Sequence, residues 1–344
     1  SYYGKIPRDD RCTFDISNNK VLVHMGESGK IKAANFYRDC YPADDIPGVW
    51  MHKDFSSVAV SYEIFINGQK QEIDKNTEYT MDLVDNIFPR TLLYFGNVKV
   101  SIILYAPISE NGDTRSNAFV YGMCIENTGP DPVNGEIRII GETDAEDDFL
   151  KNEISILQGS GRETTEFSLP AAEHIWIPSV IYAPGRYEEA EKIRNNSSYW
   201  FEQTHNYFRN MLGRLVVEDH PVEGALFERA VMQCFHAIAM NASGEVTGSN
   251  WGSFPATRQI WMKDILPFCI LEPDLAWKGM EWFINYGIRP EGDKCRGGVT
   301  HSLGNSLAGI LLAGITFENT GKAEILKNRP EIFQKLVDIM DQVE

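Results

Sequence analysis

The sequence predicts a β-sandwich plus all-α fold, in which an N-terminal antiparallel β-sandwich is followed by a region built from helices. Two observations carry this prediction. Hydropathy alternates with a period of two from about Lys20 to Tyr182, and the period changes to 3.6 after Pro184-Gly185. We therefore assign residues 1–185 to a β-sandwich domain, 186–220 to a linker helix region and 221–344 to a helical domain.

Tight turns separate the alternating runs of the first part. The run from Val58 to Ile66 leads into Asn67-Gly68, a pair that accepts positive φ and is the strongest short-range hairpin signal. Gly96-Asn97 predicts a second hairpin of the same kind. Short strands at this spacing, with no helical pattern between them, are typical of an antiparallel sandwich.

The second part shows amphipathic helices with terminal signals. We predict a linker helix over residues 187–212, interrupted at 195–198, and first-turn positions for Pro273 and Pro330. Gly244, Gly287 and Gly321 fall at predicted helix ends. The apolar stripes expected to face the core are Leu226, Ala230, Val231, Cys234, Phe235 and Ile238; Leu275, Ala276, Met280, Phe283 and Ile284; Leu303, Leu307, Ile310, Leu311 and Ile315; and Ile332, Phe333, Leu336, Val337 and Met340.

Charge and composition narrow the classes of partner. The 344 residues include 32 basic and 49 acidic side chains, so the formal net charge is −17. A surface of this sign repels a phosphate backbone and anionic lipid, so we expect neither a nucleic-acid partner nor a membrane partner. With 11% aromatic residues it suits a neutral, polyhydroxylated ligand, although net negative charge also serves solubility alone.

The cysteines and histidines give no metal or cofactor signal. The six cysteines are scattered without a CxxC pair, which favours reduced core thiols and a cytoplasmic location. The seven histidines never pair at ligand spacing. We therefore predict no metal and no cofactor.

Two polar, glycine-rich segments hold the candidate site residues. Residues 244–264 contain Trp251, Arg258, Trp261, Lys263 and Asp264, and they are predicted to form a long loop between two helices. An aromatic ring beside fixed charged groups is the combination that binds a sugar, because the ring stacks on its C–H face and the charged groups take pairs of hydroxyls. A purely structural interpretation stays open, in which the two tryptophans are core residues and Asp264 caps a helix.

A second segment, residues 288–301, offers further polar groups. It contributes Arg296 and His301 between two predicted helices. Long polar loops alternate with short ones in this half, which is typical of helical hairpins that carry a site at one end. We predict that both segments line one pocket there, although either residue alone could be a surface or capping group.

The order of these parts resembles the six-hairpin glycosidase superfamily. The stretch LFERAVMQCFHAIAMNASGEVTGSNWG followed by ATRQIWMKDILPFCILE is similar to the bacterial glucoamylases and to related (α/α)6-barrel disaccharide phosphorylases. Those families carry a Trp-x-Arg-Asp element at the start of the second inner helix, and residues 261–264 match it with Lys263 in place of arginine. The resemblance implies that Lys263 and Asp264 hold hydroxyls of the non-reducing-end sugar.

The same resemblance implies an enzyme that cleaves a glycosidic bond with inversion. A complete barrel has twelve helices and about five are visible, so we expect residues 221–344 to be the first part of the barrel. The catalytic carboxylates would then lie beyond residue 344, on a C-terminal continuation or a companion chain that completes the barrel. Hydrolysis of an oligosaccharide or glycoside, phosphorolysis of a disaccharide, and a non-catalytic sugar-binding or supporting subunit remain the alternatives.

Overall fold

A computed structural model describes most of the chain as two compact units. Unit 1 comprises residues 1–36 and 56–208, and unit 2 comprises residues 37–55 and 209–344. The described residues are 2–5, 13–37, 39–42, 50–53, 56–74, 76–143, 155–156, 162–183, 185–214, 216–217, 219–241, 244–251, 254–257, 265–282, 308–321 and 327–343. The domain limits predicted from the sequence stay predictions.

Unit 1 contains two antiparallel sheets. The first has the order β1-β9-β10-β11-β12-β16-β14, with bounds Tyr2–Lys5, Glu78–Val84, Phe88–Phe95, Val98–Tyr105, Ala118–Asn127, His174–Tyr182 and Ser155–Ile156. The second has the order β15-β13-β7-β4-β3-β2, with bounds Arg162–Leu169, Val133–Thr143, Ser56–Ile66, Ile31–Phe36, Val21–Gly26 and Thr13–Ser17. The two-residue strand β8, Gln69–Lys70, also pairs with β7.

The two sheets pack face to face, which confirms the predicted sandwich. Apolar side chains at alternate positions point inward, as in β11, where Val100, Ile102 and Leu104 are fully buried. Aromatic pairs bridge the layers: the rings of Phe36 and Phe119 stack with centroids 6.1 Å apart. Side chains from both inner faces therefore form one core.

The turn between β3 and β4 lies inside this core. Its successive carbonyls, those of Glu27, Ser28 and Gly29, accept hydrogen bonds from the hydroxyls of Thr91, Tyr62 and Tyr121 at 3.3, 2.5 and 2.6 Å. Thr91 and Tyr121 belong to the first sheet and Tyr62 to the second. Because a buried carbonyl without a partner is costly, these hydroxyls allow backbone to enter an apolar interior.

The predicted hairpin turns are confirmed by their backbone angles. Asn67 and Gly68 have φ of 49° and 79°, and Gly96 has φ of 58°. A further turn at Asp85-Asn86 also has positive φ at both residues. These are the conformations of the tight turns that match strand twist.

The linker region forms two helices against the first sheet. Helix α1 spans Tyr187–Asn195 and α2 spans Ser197–Leu212, so the predicted interruption is confirmed. Ser197 is fixed on both sides, because its hydroxyl accepts a hydrogen bond from the Trp176 indole at 3.0 Å and its carbonyl accepts one from Tyr105 at 2.6 Å. The ring of Phe201 then packs on that of Phe88 at 4.7 Å.

Unit 2 combines helices with a third antiparallel sheet. The sheet has the order β17-β18-β19-β6-β5, with bounds Ile238–Met240, Val246–Trp251, Phe254–Thr257, Trp50–Lys53 and Asp39–Pro42. The helices are α3, Pro221–Ala237; α4, Phe268–Leu271; α5, Pro273–Trp282; α6, Ala308–Thr320; and α7, Pro330–Val343. Pro273 and Pro330 are the first residues of their helices, as predicted.

Three local predictions in this unit are wrong. Leu226 is 66% exposed, and Ile238 is buried as predicted but starts a strand instead of extending α3, so within α3 the predicted stripe is buried at positions such as Val231 and Phe235. In α6 the buried face holds Leu312 and Ala313 and not Leu311. The hydropathy of α6 is high on every side, so its period could not identify the packed face.

None of the described helices is long and apolar enough to cross a membrane. Cys124 and Cys269 are free thiols. Burial raises the pKa of the Cys269 thiol, whose sulfur lies 3.7 Å from the Leu312 carbonyl oxygen.

The buried turn generates a stability prediction. We expect Tyr121→Phe to lower the free energy of unfolding by about 1–3 kcal/mol, because it leaves the Gly29 carbonyl without a partner in an apolar interior. Urea denaturation measures this effect. Tyr94→Phe is the matched control, since Tyr94 is 39% exposed and its substitution should change stability by less than about 0.5 kcal/mol. Equal effects of the two substitutions would contradict the role of the turn.

Candidate functional site

The third sheet holds the described part of the sequence-predicted site. Trp251 is the last residue of β18, and Arg258 follows directly after Thr257, the last residue of β19. The remaining predicted residues, Trp261, Lys263, Asp264, Arg296 and His301, lie with Arg258 outside the described residues. Their grouping in one pocket therefore stays a prediction, and so does the position of the segment 288–301.

The segment 244–264 differs from the predicted loop. It contains β18 and β19, which pair through Ser249 with Ala256 and through Trp251 with Phe254. Its glycine, serine and tryptophan content favoured a loop, yet the segment has strand partners on both sides, in β17 and β6. Pairing with strands elsewhere in the chain overrides local composition.

A short polar network fixes the entry to this sheet. The Asn241 side chain donates to the Glu245 carboxylate at 2.8 Å and accepts from the Glu245 amide at 2.9 Å. Gly244 adopts φ of 92° in the turn, and its amide donates to the Asn241 carbonyl at 3.0 Å. These bonds set the register in which β18 leaves β17.

Helix α5 packs on the first residue of β18. A Cβ atom added to Gly279 would lie 3.2 Å from Cγ1 of Val246 and 2.3 Å from Cδ1 of Ile265. Glycine therefore provides the room for this close approach. Ile265 follows directly after the predicted element 261–264, and β19 ends at Thr257, four residues before that element begins. Described residues with packing or pairing contacts therefore flank the element on both sides.

Residues 39–42 and 50–53 contribute two strands to the third sheet, which the sequence pattern did not indicate. The chain leaves the sandwich after β4, forms β5 and β6 in unit 2, and returns as β7. Strand β6 pairs with β19, with Trp50 opposite Thr257 and Met51 opposite Ala256. Strand β5 then pairs with β6, with Tyr41 opposite Met51.

This pairing places a second aromatic and polar segment beside the predicted one. Neighbouring strands lie about 4.8 Å apart, so β6 and β18 are separated by about 10 Å with β19 between them. The sequence held a usable signal, because Trp50-Met51-His52-Lys53-Asp54 repeats the residue types of Trp261-Met262-Lys263-Asp264.

Comparisons with known proteins give a fold likeness without a sequence match. The sequence matches no family model. A search of curated proteins also finds no match. A solved structure described as a kojibiose phosphorylase from the human microbiome is similar with a TM-score of 0.54 and 9% identity, over 94% of this chain and 56% of that one.

A second solved structure is less similar. The family GH92 α-mannosidase from Bacteroides thetaiotaomicron has a TM-score of 0.28 and 8% identity, over 74% of this chain and 45% of that one, and this likeness carries no argument. The chain thus spans about half the length of the phosphorylase-like structure that it resembles. At this identity the first likeness shows the fold alone, a sandwich with helices.

The register of the third sheet can be tested by cross-linking. We expect a disulfide to form in at least one of two double variants, Met51→Cys/Ala256→Cys or Trp50→Cys/Thr257→Cys, when each is oxidised. Adjacent opposed pairs alternate between Cα separations of about 5.5 and 4.5 Å, both within the range that a disulfide spans. Non-reducing peptide mapping detects the bond.

The matched control is Met51→Cys/Thr257→Cys, in which the register is offset by one residue. Successive side chains alternate between faces, so this pair should stay reduced. The pairing would be refuted if the control formed a disulfide as readily as the opposed pairs, or if neither opposed pair formed one.

Proposed function

We propose that this chain belongs to a carbohydrate-active enzyme that cleaves a glycosidic bond with inversion. The observation that carries the proposal is the fold likeness over 94% of the chain to a protein described as a kojibiose phosphorylase. The resemblance of residues 261–264 to the Trp-x-Arg-Asp element supports it independently, because it rests on sequence alone.

The composition of the third sheet supports a sugar as the ligand. Its strands carry Trp50 and Trp251 together with polar residues such as Asn250 and His52. Aromatic rings take the C–H faces of a sugar, and polar groups take its hydroxyls. We assign substrate binding to Trp251, Arg258, Trp261, Lys263, Asp264, Arg296 and His301, and we add Trp50 from β6.

Water and phosphate, the two possible acceptors of the sugar, require different catalytic groups. Inverting hydrolysis needs one carboxyl to protonate the leaving oxygen and a second to activate water about 6.5–9.5 Å away. Phosphorolysis needs only the acid, since phosphate is itself the nucleophile. The name of the similar structure favours phosphate, and the net charge of −17 would require a local cluster of cations to hold it.

Product analysis separates these reactions. The complete enzyme, including the further chain expected to supply the catalytic carboxylates, is incubated with kojibiose in the presence and absence of inorganic phosphate, and glucose and sugar phosphate are quantified with their anomeric configuration. Sugar phosphate that forms only when inorganic phosphate is present supports phosphorolysis. Free sugar that forms equally with and without phosphate supports hydrolysis. Binding without turnover for a panel of disaccharides would replace the proposal by a sugar-binding or supporting subunit.

We also propose that further helices, from the same polypeptide or from a companion chain, pack on the helices of unit 2. Leu266, Ile270, Leu311 and Phe317 are 41–55% exposed there. Large apolar side chains grouped at a surface are typical of a face that another element covers. A monomer of 38.9 kDa that melts cooperatively and binds no hydrophobic dye would overturn this proposal.

Asp264→Asn distinguishes a sugar ligand from a helix cap. Asparagine caps a helix nearly as well as aspartate, so a capping role predicts unchanged stability and unchanged binding. As a ligand for paired hydroxyls, the carboxylate makes charge-assisted bonds that the amide does not reproduce, so affinity should fall about tenfold, or 1.4 kcal/mol, with the melting temperature unchanged. Calorimetric titration with kojibiose measures the affinity, and an undiminished value would return Asp264 to the capping role.

Trp50→Ala tests the contribution of β6. We expect it to weaken sugar binding about tenfold, as Trp251→Ala should, because each removes a ring from the same sheet. Trp200→Ala is the control, since Trp200 lies in α2 of unit 1 with its ring 5.8 Å from that of Tyr199. If Trp50→Ala binds as tightly as the control, β6 supports the sheet without touching substrate.

A further inference from the structure

A groove on the outer face of the second sheet, formed by the ends of β7, β13 and β15, has the features of a ligand site. Its volume is about 1060 Å³, at the upper end of ordinary small-molecule sites. The groove lies in unit 1, whereas the site considered above lies in unit 2. The outer face of a sandwich strand ordinarily carries only solvated polar residues.

An arginine stacked on an aromatic ring forms one part of this groove. The guanidinium of Arg138 lies 4.3 Å from the centroid of the Phe65 ring. It is hydrogen-bonded to Glu136 and lies 3.6 Å from Glu63, whose other carboxylate oxygen accepts a bond from Lys70 at 2.7 Å. The hydrogen bond that the Arg138 guanidinium donates to Glu136 is the main reason that the pKa of Arg138 is raised.

This arrangement preorganises the Arg138 guanidinium to bind a ligand. The two carboxylates and the ring hold the guanidinium in one orientation, so little conformational entropy is lost when a ligand arrives. Of its five N–H donors, those on Nη2 make no hydrogen bond to the described residues. With a side chain that is 34% exposed, Arg138 can offer these donors to a ligand.

The acceptors of the groove break a rule of sheet pairing. Glu136 lies directly opposite Glu166 in the register of β13 and β15. Like charges at opposed positions destabilise an antiparallel pair. Arg138 offsets the charge of Glu136, whereas Glu166 is exposed and has no cationic partner among the described residues. A local rule that is broken with only partial compensation is typical of a functional site.

The charges of the groove select a neutral ligand. Among the residues that line the groove, Glu136 and Glu166 outnumber Arg138 by one, which disfavours an anion. Acceptors and donors held side by side, next to aromatic carbon, match the vicinal hydroxyls and C–H face of a sugar ring.

We propose that this groove is a second carbohydrate-binding site, outside the active site, that holds an oligosaccharide of two or more units. The proposal rests on the proposed function for its class of ligand. It adds a site that tethers the substrate without taking part in bond cleavage.

Two readouts distinguish the groove from the site in unit 2. No tryptophan lines the groove among the described residues, whereas the third sheet carries Trp50 and Trp251. Binding of maltoheptaose and of kojibiose is therefore measured in two ways. Calorimetry reports binding at both sites, and tryptophan fluorescence reports binding at the site in unit 2. We expect Glu166→Gln and Phe65→Ala each to weaken the fluorescence-silent binding at least fivefold and to leave fluorescence titration and turnover unchanged.

A control variant and the pattern of outcomes distinguish failure of the groove proposal from failure of the proposed function. Tyr94→Ala removes an exposed ring from the first sheet and should leave both readouts unchanged. Glu166→Gln keeps the shape of an exposed side chain, so it tests the groove even if Phe65→Ala does not fold. A single class of sites, insensitive to Glu166→Gln, would overturn the groove while leaving the proposed function intact. Groove binding with no turnover and no fluorescence change would overturn the proposed function and support the groove.

Discussion

The sandwich depends on a hydrogen-bonding constraint at its centre. The β3–β4 turn enters the space between the sheets, and its three successive carbonyls need partners there because burial removes them from solvent. Hydroxyls from β7, β10 and β12 meet this need, which links both sheets to one turn. At Gly29, with φ of 78°, an added Cβ would lie 2.7 Å from Cδ1 of Ile102, so the turn also limits how closely the core can pack around it.

The position of this turn determines where the neighbouring strands begin and end. Strand β4 starts two residues after Gly29 and ends at Phe36, where the chain passes into unit 2. The chain returns to the second sheet at Ser56, and β7 then pairs beside β4. The excursion that brings β5 and β6 to the third sheet is therefore an insertion between two paired strands of the sandwich, held at both ends by the same sheet.

Such an insertion explains how two stretches about 200 residues apart come to share one sheet. Strands β18 and β19 are a local hairpin with two edges, and β17 and β6 cover them. Uncovered edges expose unpaired backbone groups and invite association with other chains. The pairing with β6 thus covers one edge of the hairpin and also contributes Trp50 to a region already rich in aromatic residues.

The groove on the second sheet arises in a different way. It is formed by side chains that point outward from strands whose inward-facing side chains build the core.

Periodicity and turn chemistry in the sequence determined the sandwich, the hairpins at Asn67-Gly68 and Gly96, and the interrupted linker helix. These features arise from contacts between near neighbours and from backbone angles that few residue types adopt. Residue types alone also indicated an aromatic and charged segment near Trp251. Only the tertiary structure decided that this segment pairs as strands, that β6 lies beside it, and which face of α6 is buried. Periodicity marks a strand but not the distant partner with which it pairs, and a helix that is apolar on all sides has no preferred face until its neighbours are in place.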